Sequence, residues 1–231
     1  MANSKAPAHV AVIMDGNGRW ASNNGLPRIQ GHRAGLDNIE RVIISFRDAG
    51  IKYATFYTFS TENWSRPEEE VEGLIELLYD SLTKNIKFLT EEGIRLIHLG
   101  RTENLPIHVV KLIDETMKST KNNDGITVAI AFDYGGRYEI LRAVQLLIQK
   151  GLSPEEITEE VFSSNLYTSE LPDPDLIIRT GGEMRLSNFL IWQAAYAEFY
   201  TTPILWPDFG PYEVDLAISE YKARDRRFGR I

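Results

Sequence analysis

Cysteine is absent from the 231 residues. That excludes disulfides, thiolate metal ligands and a cysteine nucleophile, and it fits a reducing cytoplasm. No apolar run approaches the roughly 20 residues needed to span a bilayer. Residues Met1 to Ala8 carry one lysine and no apolar stretch, unlike a signal peptide. Positive charge is scarce: 25 Lys and Arg face 33 Asp and Glu, for a net charge of −8. A nucleic-acid surface needs a basic patch to neutralise phosphates, so that class of partner is disfavoured. There is no internal repeat, low-complexity tract or linker. One domain over residues 1–231 is therefore expected, with residues 1–8 as a flexible lead.

What is present looks like an ordinary globular protein, with 43% hydrophobic and 25% charged residues. The arginines are unevenly placed. They recur beside Gly, Ser and Asn at the ends of expected strands, a pattern suited to a small anionic ligand. Short apolar runs alternate with amphipathic stretches. Strands are expected at His9 to Met14, Tyr53 to Phe59, Arg95 to Leu99, Thr127 to Phe132 and Leu176 to Arg179, with shorter ones at Ala197 to Tyr200 and Ile204 to Trp206. Helices are expected at Gly31 to Ala49, Pro67 to Glu91, Pro106 to Ser119, Tyr138 to Lys150 and Pro211 to Tyr221, with a shorter one after Ser153. The alternation implies an α/β domain, with a mostly parallel sheet covered by helices on both faces. Ligands of such sheets sit beyond the carboxyl ends of the strands.

Three loops follow strands and carry polar chemistry. The first is Asp15-Gly16-Asn17-Gly18-Arg19-Trp20. Its glycines let backbone N–H groups approach an anion, and Arg19 adds charge. Asp15 would repel a phosphate unless a Mg²⁺ ion bridges them. The alternative is an ordinary strand-to-helix turn capped by Asp15. The loop has neither GxGxxG nor Walker A spacing, so dinucleotide and P-loop readings lose support. The second loop, Ser60-Thr61-Glu62-Asn63-Trp64-Ser65-Arg66, offers hydroxyls, a carboxylate, an amide and a guanidinium. Ser65 is also placed to cap the helix beginning at Pro67. The third runs from Arg179 through Gly181 and Gly182 to Arg185, Leu186, Ser187 and Asn188, and reads as a diphosphate clamp. Glu198 lies in an apolar stretch, where a carboxylate needs either a metal or an arginine partner. His98 and His108 read as structural.

With these loops in order, the chain resembles the cis-prenyltransferases of the undecaprenyl diphosphate synthase family. HVAVIMDGNGRWA, TFYTFSTENWSRP, YGGR, DLIIRTGGE with RLSNFLIWQ, and WPDF carry the resemblance, which runs from His9 to Gly229. It implies a six-stranded sheet with a hydrophobic tunnel, a homodimer, and a Mg²⁺ requirement without the DDxxD motif of trans-prenyl synthases. It implies condensation of isopentenyl diphosphate onto an allylic diphosphate, farnesyl diphosphate for example, with Z double bonds. Asp15 matches the essential metal-handling aspartate. Gly16, Asn17, Gly18, Arg19, Trp20, Arg28 and His32 match the allylic diphosphate site. Ser60, Thr61, Glu62 and Trp64 match the loop between the substrates, and Asn63 the position assigned to proton removal. Arg66, Arg179, Arg185, Leu186 and Ser187 match the homoallylic site. Glu198 matches a metal-associated carboxylate at the dimer interface, and Arg227-Phe228-Gly229 an element reaching across it.

The same resemblance implies a cytoplasmic protein with peripheral membrane contact for product release. It leaves open a short-chain synthase or a silent partner subunit, although the intact Asp15, Arg19, Arg28, Asn63, Arg179 and Arg185 argue against silence. Three positions depart from the family: Met184 replaces His or Gln, Asp133 replaces Asn, and Thr58 replaces a small Ala. Thr58 and Tyr79 are expected to limit chain length from the tunnel wall.

Overall fold

The computed structural model describes residues 6–224. The Arg227-Phe228-Gly229 element lies outside the described residues. Among the described residues six strands form one sheet: β1 (His9–Ile13), β2 (Tyr53–Ser60), β3 (Arg95–Leu99), β4 (Thr127–Tyr134), β5 (Leu176–Arg179) and β6 (Glu198–Thr201), in the order β3-β4-β2-β1-β5-β6. Every pairing is parallel. All five β1 residues are buried, which is why Val10 to Ile13 are continuously apolar rather than alternating.

Among the described residues, seven α-helices accompany these strands: α1 (Asn17–Asn23), α2 (Arg28–Asp48), α3 (Glu68–Glu91), α4 (Ile107–Thr120), α5 (Gly136–Gln149), α6 (Glu159–Ser163) and, after β6, α7 (Pro211–Ala223). Ile39, Val42, Ile43 and Phe46 of α2, Val71, Leu74, Leu78 and Leu82 of α3, Val109 and Ile113 of α4, and Val214 and Ile218 of α7 share one core with Val10, Val12, Phe56 and Val128 of the sheet. Alternate strand residues Ala11, Ile13, Ala129, Ala131 and Ile177 face the other way and pack with Phe189 and Leu190. The sheet order diverges from β1 in both directions, so a crevice opens beyond the carboxyl ends of β1, β2 and β5.

Local boundaries differ where tertiary contacts decide them. The first polar loop winds into helix α1 directly after Gly16, whose φ of 111° turns the chain. Helix α2 begins at Arg28, after Pro27, and not at Gly31. Arg28 and His32 therefore stand one turn apart on one face. Ile204, Leu205 and Trp206 are not a strand. Trp206 opens a 3-10 turn (Trp206–Asp208) and is fully buried, its indole N–H donating to Gly35 O at 2.6 Å. The apolar signal there belongs to this anchor. Ser65 caps nothing: α3 starts after Pro67 without a side-chain cap, and the Ser65 hydroxyl donates to Glu62 O.

His9 lies buried within β1, bonded to Pro172 O at 2.6 Å and Thr55 Oγ1 at 2.8 Å. Burial lowers its pKa from 6.5 to about 4. The unfolded chain then binds more protons between those values, so stability is complete above pH 6.5 and is lost as pH falls towards 4. The difference corresponds to up to about 3 kcal/mol. A His9→Gln variant should show a flatter fall of the unfolding midpoint between pH 6.5 and 4 than the parent, measured by circular dichroism.

Candidate active site

The site assembles at the carboxyl ends of β1, β2 and β5. Asp15 follows β1 and does not cap α1. Its Oδ1 accepts from Arg19 Nη2 at 3.1 Å, and its Oδ2 accepts from Arg179 Nη2 at 2.8 Å. Arg19 also donates to Gly181 O at 2.7 Å. Arg179 sits at the end of β5, only 5% exposed, and donates to Arg185 O at 2.5 Å and to Ser187 Oγ at 2.8 Å. One carboxylate thus ties the first loop to the third.

Two polar cavities meet at Asp15. The first, about 430 Å³, is lined by residues 14–19, Ser22, Asn23, Arg28, His32 and Arg66. The second, about 230 Å³, is lined by Asp15, Asn17, His32, Ser60, Asn63, Arg66, Arg179 and Ser187 among others. The first turn of α1 leaves backbone N–H groups without intrahelical partners at the first cavity. Asn63 Oδ1 accepts from Ser60 N at 2.9 Å, fixing its amide within the 3-10 turn Thr61–Ser65. Trp64 Nε1 donates to Asp133 Oδ1 at 2.7 Å, and Arg101 pairs with both oxygens of that carboxylate. The departure at Asp133 therefore supplies a fully buried, paired charge that anchors the turn.

Burial pushes His32 down from 6.5 to about 4, with Arg66 and Arg28 adding to the shift and Glu70 opposing it. At neutral pH His32 is an uncharged donor and acceptor. Among the described residues, Asn17 Oδ1, His32 Nε2 and Arg179 Nε are buried without a hydrogen-bond partner. All three residues line the second cavity, where a ligand would supply the missing partners.

Not every expected residue comes together. Trp20 lines neither cavity and donates to Asp208 Oδ1 at 2.8 Å. Arg185 pairs with Glu183 at 2.5 Å, while Leu186 packs under the sheet. Thr61 and Glu62 stand at the rim, bonded to each other. Met184 is 79% exposed. Glu198 pairs in register with Leu176, at the opposite end of β5 from Arg179, and forms an ion pair with Arg224 at 2.9 Å. One site residue escapes the sequence reading, as does the partner of another. Glu70 accepts from Arg66 at 2.8 Å, lies 3.1 Å from Arg28 and 3.9 Å from His32. The spacing of Arg66 and Glu70, four apart at a helix start, was its only signal. Asn188, within the third loop and the RLSNFLIWQ motif, bonds Glu62 across the site, a partner that its sequence context does not indicate.

The Mg²⁺ implied by the sequence can be tested on the donor set. Among the described residues, no three His, Asp or Glu side chains cluster to hold an ion alone. Asp15 is the only carboxylate among the described residues that lines the two polar cavities. A single hard oxygen beside an anion site suits Mg²⁺, which keeps waters and shares substrate phosphates rather than taking an all-protein cage. The residues fit the ion on those terms.

Two apolar cavities continue inward. One of about 30 Å³ touches Met14, Asn17, His32, Thr58 and Leu78. The other, about 60 Å³, lies between α2, α3 and the sheet, walled by Ile39, Ile43, Leu82, Phe88 and Val128. Thr58 borders both and the second polar cavity, where an irregularity in the β2–β4 register re-aims the strand. Its hydroxyl donates to Ala131 O at 2.9 Å. Tyr79 is elsewhere. It packs edge-on against His108 on the outer side of α3, beside Glu76 and Asp80, because it falls outside the apolar stripe of that helix.

Comparisons with known proteins bear on the family and the fold. Residues 13–229 match the family described as "Putative undecaprenyl diphosphate synthase". An isoprenyl transferase of Neisseria gonorrhoeae is 50% identical, over 97% of this chain and 90% of its own. One of Thermotoga maritima is 49% identical over 98% of both. Among solved structures, lavandulyl diphosphate synthase from Lavandula x intermedia, in complex with dimethylallyl diphosphate, superposes with a TM-score of 0.93 at 35% identity, covering 97% of this chain and 99% of that one. A probable undecaprenyl diphosphate synthase from Campylobacter jejuni gives 0.82 at 34% identity with the same coverage. The chain is a prenyltransferase, and it belongs to the undecaprenyl diphosphate synthase family.

Proposed function

We propose that the protein condenses isopentenyl diphosphate onto an allylic diphosphate such as farnesyl diphosphate, forming Z double bonds and a long polyprenyl diphosphate of the undecaprenyl type. The observation that carries this reading is the Asp15 carboxylate. It is shared by Arg19 and Arg179 where two anion cavities adjoin an apolar one.

In this reading the allylic diphosphate occupies the first cavity, held by the N–H groups of α1, Arg19, Arg28 and neutral His32. Isopentenyl diphosphate occupies the second, on Arg66, Arg179, Arg185 and Ser187. Arg66 and Arg185 exchange their Glu70 and Glu183 partners for substrate. As the new carbon–carbon bond forms, the allylic C–O bond breaks and its electron pair leaves with diphosphate. Fixed guanidinium groups stabilise that charge without reorganising, which is the main electrostatic contribution. Mg²⁺ held by Asp15 would neutralise charge on the leaving group. An amide is a weak base, so Asn63 orients the departing carbon-bound proton towards diphosphate or water. The growing chain enters the apolar cavities below Thr58. Exposed Leu141, Val144 and Ile148 of α5, with Trp192 and Tyr196, support a homodimer. Glu198, remote from Asp15 in its own chain, would then serve a metal in a second copy. The same reading puts the protein in the cytoplasm, with peripheral membrane contact for product release.

The test is incubation with labelled isopentenyl diphosphate, farnesyl diphosphate and Mg²⁺. The expected result is label in a solvent-extractable product ladder, abolished by chelation. No incorporation with any allylic diphosphate would overturn the reading. The narrow apolar cavities, about 30 and 60 Å³, favour a second reading as a short-chain synthase, and a ladder that stops after one or two additions would select it. Thr58→Ala should lengthen the products and Tyr79→Ala should not.

A further inference from the structure

The turn Thr61–Ser65 and the loop at residues 180–190 follow strands that are not neighbours, since β1 separates β2 from β5. One side chain joins them. Asn188 has a φ of 65°, within a run in which Ser187 and Leu190 are also positive, at 49° and 43°. Asparagine tolerates this left-handed region better than most residues. Its carbonyl accepts from Gly136 N at 2.7 Å and its Oδ1 accepts from Arg137 N at 2.9 Å. Those bonds seat Asn188 on the first turn of α5 and fix which way its amide points. Its Nδ2 then has one direction left, and donates to Glu62 Oε1 at 2.7 Å. The approach is close enough to require glycine nearby. A Cβ on Gly135 would stand 2.8 Å from Asn188 Nδ2 and 2.5 Å from Thr61 Oγ1. The preceding residue, Ser187, accepts from Arg179 through its hydroxyl.

We infer that Asn188 is a positioning residue that locks the turn carrying Glu62 and Asn63 to the loop carrying Arg185 and Ser187, so that both walls of the second cavity grip one diphosphate together. The inference rests on the reading above that this cavity takes isopentenyl diphosphate. The bond is charge-assisted and spans two loops. Its loss frees the turn and the loop to move independently, while α5 and the sheet stay packed.

Asn188→Asp discriminates. It keeps the shape, the tolerance of positive φ and an acceptor for the Arg137 N–H, but sets a carboxylate against Glu62. By titration calorimetry, affinity for isopentenyl diphosphate should fall about 10-fold or more, the usual size of an effect on a charged hydrogen bond. Affinity for farnesyl diphosphate should change by less than about 3-fold, and the unfolding midpoint should stay within a few degrees. Glu62→Gln placed on Asn188→Asp restores a donor and an acceptor with roles exchanged. The double variant should therefore bind isopentenyl diphosphate more tightly than the product of the two single losses predicts. Losses that simply multiply would overturn the inference, as would equal loss for both ligands with a matching drop in unfolding midpoint. Wild-type protein that binds isopentenyl diphosphate but makes no product would remove the proposed reaction and leave this affinity test standing. Wild-type protein that binds none would overturn both.

Discussion

Asp15→Asn should lower turnover about 10³-fold while the protein folds normally. The magnitude is that of removing a preorganised charge from a reacting centre. The substitution keeps the side-chain volume and leaves a carbonyl oxygen to accept from one arginine. It removes the negative charge that holds Arg19 and Arg179 together and that would hold Mg²⁺. The carboxylate is 28% exposed, and the two guanidinium groups reach it from different loops, so partial solvation offsets much of the structural cost. Steady-state incorporation of label gives kcat and KM, and circular dichroism checks folding. Turnover within about 5-fold of the parent would remove Asp15 from the chemistry.

Arg179→Met should affect both activity and stability. The residue is buried, and its bonds reach Asp15 from the first loop and Ser187 and Arg185 within the third. Removing it leaves Arg185 O and Ser187 Oγ short of a donor and Asp15 short of a counter-charge. Breaking a buried pair costs about 3–5 kcal/mol. The partial exposure of Asp15 reduces this to about 2–3 kcal/mol. A fall in urea midpoint should accompany a loss of at least about 100-fold in kcat/KM for isopentenyl diphosphate. Arg179→Lys is the informative companion. It restores the charge but not the fork, because one ammonium cannot serve three partners in a fixed plane. Most stability should return and most activity should not. If lysine restores both, the geometry of the fork is unimportant.

How much was legible varied with the range of the interactions. The largely apolar runs HVAVI and LIIR are legible as strands because both are buried along their whole length. The spacing of Val71, Leu74, Leu78 and Leu82 marked α3 because its buried stripe repeats with the helical period. The run at Ile204 to Trp206 was misread because a single buried indole, bonded to α2, makes the same local pattern as a short strand. Ser65 was read as a cap from its position, but its hydroxyl is taken by Glu62 O. Tyr79 is an expected tunnel-wall residue, yet it falls outside the buried stripe of α3 and packs against His108 of α4.

The Asp15 loop was recognisable from residues 15–20, as were the polar turn before α3 and the arginines after β5. Those features are local, since glycines, a carboxylate and guanidinium groups at strand ends advertise an anion site. The sequence by itself therefore determined the strand-and-helix order, the family, and the set of side chains at the three loops. Only the tertiary structure decided how those side chains share one another. Asp15 lies between Arg19 and Arg179, Glu70 among Arg28, Arg66 and His32, and Asn188 against Glu62. Each of these contacts except the nearby Arg19–Asp15 and Arg66–Glu70 pairs crosses a long separation along the chain, and a parallel sheet brings such residues together by strand order, which local spacing does not encode.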